Sequence, residues 1–165
     1  MKTFFITGAE GVGKTSILKL LNAKLPKANF DIHDFDELGV PLENLSLQWR
    51  LDATYHWIDK AIKNQKKNLN TIIVGLSLPS EVGDIKESTM LREIIFCLLD
   101  VSEKEREKRL IKRGALQEVI LDLEQHASLR KEVGKTNYKK TIIDTTNLSI
   151  AETAEKVIKF ILNEK

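Results

Sequence analysis

At 165 residues, with 26 Lys plus Arg against 24 Asp plus Glu and 42% hydrophobic residues, the chain has the length and balance of a single domain able to bury a sizeable core. That apolar fraction excludes wholesale disorder, eight Gly and three Pro exclude a low-complexity chain, and a net charge of +2 argues against a broad nucleic-acid surface. The single cysteine cannot make an internal disulfide; Cys97, in the run IIFCLLD, reads as a small buried strand residue in a reducing, cytoplasmic compartment.

In chain order, KTFFIT at 2 to 7 reads as a first strand, too short and too soon interrupted to be a signal segment. No stretch approaches the ~20 apolar residues needed to span a bilayer, so no membrane partner is expected. Gly8 to Thr15 then reads GAEGVGKT, the full G-x-x-x-x-G-K-T pattern, set between an apolar strand and an amphipathic helix. Gly8, Gly11 and Gly13 let successive N–H groups converge on phosphate oxygens. Lys14 sets a compact charge against the β and γ phosphates, and Thr15 offers a hydroxyl to the Mg²⁺ that bridges them. Val12 and Ser16 complete the expected nucleotide-binding stretch. Four such fixed positions coincide by chance in under about 1% of chains of this length. The helix after the loop carries Ile17, Leu18, Leu21 and Leu25 on one face and stops at Pro26.

A second strand, NFDI at 29 to 32, leads into HDFDELG. Residues 31 to 43 hold five acids and no Lys or Arg. Carboxylates at the C-terminal end of a strand lie where open α/β sheets bind ligands. Asp34 and Asp36 could orient metal-bound water, accept a proton from an attacking hydroxyl or hold a substrate hydroxyl. The bland alternative is an acidic loop in which one of them caps a helix. His33 could support Asp34 from behind. Residues 41 to 64 predict one or two helices; Trp49 and Trp57 within them read first as core aromatics, with Trp49 the better pocket candidate.

TIIVGL at 71 to 76 stands where P-loop proteins carry a strand ending in a metal-directing acid, yet it ends in Gly75. Asp36 to Gly39 matches D-x-x-G by letter but follows the wrong strand, and no N-K-x-D motif occurs, which argues against a GTPase. EIIFCLLD at 93 to 100 predicts a fourth strand, and Ser102 with Glu105 opens a charged helix over 102 to 113. On that helix Arg106, Arg109 and Arg113 share one side. Arg106 reads as a solvated residue paired with glutamates, whereas Arg109 and Arg113, next to Gly114, are placed to neutralise charge on a transferred phosphoryl group. Residues 113 to 139 are polar and predict a loop able to close over a site. KTIIDT at 140 to 145 gives a fifth strand, and Ser149 with Glu152 opens the last helix. His56 and His126 read as surface residues, and no His or Cys spacing suggests structural zinc. Strands alternating with helices make an α/β domain with a mainly parallel sheet.

This combination resembles the P-loop small-molecule and nucleoside monophosphate kinases related to adenylate, shikimate and gluconate kinase. GAEGVGKT, HDFDE, VGL, LDVSEKEREKRLIKRG and IIDTTNLSIAE follow that group's order across most of the chain. The resemblance implies a three-layer α/β/α sandwich around a five-stranded parallel sheet ordered 2-3-1-4-5, as one domain over 1–165 with a substrate-binding segment about 34–64 and a short lid about 113–139. It makes Asp34 similar to a metal-assisting aspartate, Asp36 to a substrate-hydroxyl contact and Arg50 to a substrate-binding arginine. Arg109 and Arg113 look like lid-flanking arginines, and Thr145 and Thr146 lie in the loop expected to touch adenine. A glycine run after strand three and the downstream arginine pattern around Arg130 are missing, so no named substrate is implied.

The expected catalytic residues are therefore Lys14, Asp34, Arg109 and Arg113, with Thr15 and Asp34 at the metal and Asp36, Arg50 and Trp49 at the substrate. The expected activity is ATP- and Mg²⁺-dependent transfer of the γ-phosphoryl group to a small acceptor, a hydroxyl metabolite, nucleoside or nucleotide, by a monomer or homodimer. The absent strand-three acid motivates a second expectation, a nucleotide-binding regulatory module with slow or no transfer.

Overall fold

A computed structural model describes residues 1–40, 46–117, 119 and 123–164, with the side chains of 123–126 excepted. Its elements are β1 (Thr3–Thr7), α1 (Lys14–Lys24), β2 (Phe30–Asp34), α2 (Leu47–Lys66), β3 (Asn70–Val74), α3 (Pro79–Asp84), β4 (Ile94–Asp100), α4 (Glu103–Lys112), α5 (Leu123–Lys135), β5 (Lys139–Asp144) and α6 (Ile150–Asn163). Short 3₁₀ turns cover Phe35–Leu38 and Lys86–Met90. The five strands form one sheet in the order β2-β3-β1-β4-β5, every pair parallel.

The continuous apolar runs are explained by burial on both faces. Successive residues of β1 feed opposite layers. Phe4 and Ile6 join Ile72, Cys97 and Leu99 against Ile17 and Leu21 of α1 and Val157 and Ile161 of α6. Phe5 joins Ile73, Phe96 and Leu98 against Trp57 and Ile58 of α2 and Leu129 and Val133 of α5. Cys97 is wholly buried in β4, where desolvation pushes its thiol up to about 12.

Caps set the helix ends that face the site. Ser149 and Glu152 satisfy each other's backbone N–H groups at 3.2 and 2.8 Å, a complete capping box at the start of α6. Ser102 accepts from Glu105 N–H at 3.4 Å. α2 opens later than its sequence pattern suggests, at Leu47 behind the cap Ser46, and residues 41–45 lie outside the described residues.

Two departures from the sequence reading have physical causes. Residues 123–135, read as part of a polar loop, form α5, because Leu129 and Val133 at i and i+4 drop into the core beside β4. The part of the expected lid at 118 and 120–122, and the side chain of His126, lie outside the described residues. Arg106, read as solvated, is 1% exposed: Nε donates to Glu10 O at 3.1 Å and Nη2 to Val119 O at 3.0 Å, so it clamps the loop after β1 to the segment after α4.

Candidate active site

The loop between β1 and α1 is shaped by its glycines. Gly13 is the N-cap of α1 at φ 105°, a left-handed conformation that a Cβ disfavours. A Cβ on Gly8 would sit 2.6 Å from Leu99 O at the end of β4. The loop therefore packs against the C-terminal end of β4, and the start of α1 stands where a helix N-terminus can receive an anion.

Lys14 Nζ donates to Gly8 O at 2.6 Å and to Ala9 O at 2.8 Å, which folds the ammonium into the loop. Its pKa is lowered from 10.5 to about 8, chiefly by burial and also by Arg113, with Glu10, Asp36 and Asp34 opposing the shift. Three carboxylates and an arginine thus lie within electrostatic reach of the one lysine. Around it opens a cavity of about 710 Å³, whose walls include Gly11 to Ser16, Asp36, Arg109 and Arg113. Thr15 is exposed at the second position of α1. The cradle, the cation and the free hydroxyl suit a polyphosphate, and the volume accommodates a nucleotide. No cluster of three or more metal-ligating side chains exists among the described residues. The donor set instead fits Mg²⁺ held by one hydroxyl, one or two carboxylates, water and phosphate oxygens.

The acids after β2 are brought to the same side but are partly engaged. Asp34 caps the 3₁₀ turn: Oδ1 accepts from Asp36 N–H at 3.0 Å, and Glu37 returns a bond to Asp34 N–H at 3.4 Å. Asp36 lines the cavity, and burial, then the neighbouring Asp34 charge, raise its pKa, while Lys14 pulls it down. His33 stands between two other carboxylates, with Nδ1 2.8 Å from Glu37 and Nε2 3.0 Å from Asp31, its ring 4.8 Å from that of Trp57.

Gly75 has a specific reason to lack a side chain. A Cβ there would lie 2.2 Å from Cβ of Phe35, which is buried against the end of β3, in the place where an acid would otherwise project. Trp57 Nε1 donates to Phe35 O at 3.2 Å, and Trp49 meets the Phe35 ring edge-on at 6.2 Å. Trp57 is thus core, and Trp49 is partly buried against Phe35. The next residue, Arg50, bonds through Nη2 to both oxygens of Glu81, each at 2.9 Å. Glu81, on α3, is 5% exposed and was missed by the sequence reading. Pro79 at the first turn of α3 was its one local signal.

Arg109, on α4, and Arg113, just after it, are placed differently. Arg109 donates to Thr145 O at 2.7 Å, Thr145 Oγ1 at 3.2 Å and Glu105 Oε1 at 3.1 Å, so it ties α4 to the loop after β5. Arg113, at the helix end, lines the cavity and acts on Lys14. Thr145 is 1% exposed; its hydroxyl donates to Asp100 O at 2.9 Å. Thr146 binds Asp144 Oδ1 at 2.6 Å. Neither Thr145 nor Thr146 lines the cavity; Leu148, Ser149, Ile150 and Thr153 do, three to eight residues after Thr145. Arg130 pairs with Asp100 at 2.6 Å, outside this cavity.

No protein-family model matches the sequence, and no curated protein matches it in sequence. Solved structures match in fold over nearly the whole chain. An unliganded sugar kinase from Janibacter sp. HTCC2649 has a TM-score of 0.74 at 13% identity, covering 98% of this chain and 94% of that one. A shikimate kinase from Acinetobacter baumannii, in complex with shikimate, has a TM-score of 0.64 at 14% identity over 99% and 94%. A deoxyadenosine kinase from M. mycoides has a TM-score of 0.55 at 17% identity over 100% of each chain. With the 2-3-1-4-5 parallel sheet, these likenesses make the fold that of P-loop kinases. No helix of the described residues is long and apolar enough to cross a membrane.

Proposed function

We propose that this chain is an ATP- and Mg²⁺-dependent phosphotransferase that moves the γ-phosphoryl group to a hydroxyl of a small acceptor. The observation that carries the reading is the convergence, around one cavity, of a phosphate-cradling loop, a buried Lys14, the Asp36 carboxylate and the Arg113 guanidinium. The fold shared with sugar, shikimate and deoxyadenosine kinases supports it at the level of reaction class.

The loop amides and Lys14 hold the phosphates, with Gly8, Gly11, Val12, Gly13, Thr15 and Ser16 forming the cradle. Thr15 and Asp34 would hold Mg²⁺, which supplies charge neutralisation between the β and γ phosphates. Asp36 holds the acceptor hydroxyl and Trp49 walls its pocket, while Arg50 stands at the pocket's edge. The acceptor oxygen bonds to the γ phosphorus as the bond to the β,γ-bridging oxygen breaks, ADP leaves, and the hydroxyl proton passes to a carboxylate of the Asp34 and Asp36 pair. Arg113 faces the charge that spreads over the transferred group. Arg109 fixes α4 against the loop of Thr145 and Thr146 and so sets where Arg113 lies. Positioning and electrostatics are the protein's whole contribution to this chemistry.

The test is acceptor-dependent ADP release. A set of hydroxyl metabolites and nucleosides, supplied with Mg·ATP, should contain at least one that raises ADP production above the acceptor-free rate, and Lys14→Ala should abolish the rise. A rate that stays slow and equal for every acceptor would instead favour a nucleotide-binding regulatory module, the reading that the acid-free end of β3 motivates.

A further inference from the structure

On the acceptor side the chain is short of positive charge. Among the described residues, 28 to 40 and 46 to 59 contain one Lys or Arg, Arg50, and 68 to 85 contain none. These stretches run through β2 and its turn, along the start of α2, and from β3 through α3. They hold eight carboxylate residues, among them Asp34, Asp36 and Glu81. Other cations lie elsewhere: Lys14, Arg109, Lys112 and Arg113 line the cavity beside the phosphate loop, Lys60 meets Asp31 at 3.3 Å, and Lys131 and Lys135 belong to a separate groove between α3 and α5 with Glu132 and Tyr138.

Arg50 is itself neutralised. Both Glu81 oxygens lie 2.9 Å from its Nη2, and the Glu81 side chain is 6% exposed while that of Arg50 is 21% exposed. Drawing Arg50 away toward an anionic ligand would strand a buried carboxylate without its counter-ion, a costly exchange. An anionic acceptor would also have to approach Asp36, which lines the cavity, with Asp34 beside it.

We propose that Glu81 determines acceptor specificity: by holding Arg50 it cancels the one cation of these stretches, so the site takes uncharged or cationic hydroxyl compounds, such as sugars, polyols, nucleosides or amino sugars, and rejects carboxylates and phosphate esters. This rests on the phosphotransferase reading above and narrows its substrate class. Specificity here works by withholding a partner from the wrong ligand as much as by binding the right one.

The experiment compares acceptors in sets that differ only in charge: glucose, gluconate and glucosamine; adenosine and adenosine monophosphate; glycerol and glycerol phosphate. Each is assayed for ADP release with Mg·ATP in the wild type and in Glu81→Gln. In every set that shows turnover, the neutral or cationic member should exceed its anionic counterpart in kcat/KM by at least about tenfold, the effect of some 1.4 kcal/mol. Glu81→Gln, which frees Arg50, should shrink that ratio at least severalfold through the acceptor KM, with the KM for ATP unchanged.

A wild type that prefers the anionic members overturns the proposal and leaves the phosphotransferase reading standing. Turnover of no member of any set removes both. An unchanged ratio in folded Glu81→Gln overturns the role given to Glu81. If that variant does not fold, the wild-type ratios still decide the substrate class, and Arg50→Met decides the role: with no usable cation lost, its preference for neutral acceptors should persist, and a marked loss of turnover on anionic members alone would overturn it.

Discussion

The proposed nucleotide side and the proposed acceptor side of the site are built on different principles. The first is one contiguous octapeptide whose backbone would do the binding, fixed by Gly13 at φ 105° and by the packing of Gly8 on Leu99. The second is assembled from side chains of three segments, and several are already engaged: Asp34 with the backbone of its own turn, Arg50 with Glu81, Phe35 with the space over Gly75. A backbone site serves any ligand that carries phosphates, whereas a side-chain site encodes which acceptor is allowed. Substitutions on the two sides should therefore fail differently.

The largest effect is expected from Lys14→Ala. Loss of the one cation held in the phosphate loop should lower kcat/KM by about a hundredfold or more with every acceptor. Asp36→Asn should by contrast raise the acceptor KM and leave the affinity for ATP nearly intact. Steady-state kinetics with ATP and acceptor varied separately checks both. Equal damage to ATP and acceptor parameters in Asp36→Asn would dissolve the distinction between the two sides.

A stability experiment sharpens the acceptor side. Gly75→Ala would place a Cβ 2.2 Å from Cβ of Phe35, a backbone-anchored contact that cannot simply rotate away. We expect a loss of about 1–3 kcal/mol in denaturant unfolding, with Phe35→Ala in the same chain restoring tolerance at position 75. Additive losses in the double variant would mean that Phe35 is not what excludes a side chain there.

Legibility in the sequence follows the same division. The strands and the phosphate loop could be read because each rests on local pattern: apolar runs buried on both faces, a glycine spacing, a capping pair such as Ser149 and Glu152. The strand order rests on no local pattern and came only with the resemblance to the kinase group. α5 escaped because, among its described side chains, Leu129 and Val133 are the buried ones, too sparse a stripe to stand out in a polar segment. Arg106 and Glu81 escaped for another reason. A charged residue declares its burial only through partners far along the chain, Glu10 O for the first and Arg50 for the second. The threonines after β5 were identified by position, yet their hydroxyls are spent on Asp100 and Asp144, and the wall falls to Leu148, Ser149 and Ile150.

The nucleotide side should also show a pH dependence on the alkaline side, set by Lys14. Burial holds Lys14 at about 8, below its ordinary 10.5, so the free protein loses this charge as pH rises through about 8. Bound phosphates favour the protonated form, and ATP affinity should accordingly fall roughly tenfold between about pH 7 and pH 9. Stability runs the other way. Between about 8 and 10.5 the unfolded chain binds the proton that the folded chain has released, so the Lys14 contribution makes the ligand-free protein more stable as pH rises across that window. Lys14→Met should flatten both curves, as titration calorimetry and unfolding at stepped pH would record.

The smallest expected effect separates two duties of one residue. Asp34 is both the cap of the 3₁₀ turn and the proposed partner of the metal. Asp34→Ala removes both functions and should cost about 0.5–2 kcal/mol of stability, toward the low end for so short a turn. Asp34→Asn keeps a side-chain oxygen for the Asp36 N–H and loses only the charge, so its unfolding midpoint should stay close to that of the wild type. What should move is the Mg²⁺ concentration for half-maximal transfer, which rises if the carboxylate helps hold the ion. If Asp34→Asn leaves the Mg²⁺ dependence where it was while Asp34→Ala unfolds earlier, Asp34 is a cap alone. The acid that serves the metal would then be Asp36, and the two sides of the cavity would meet in that one carboxylate.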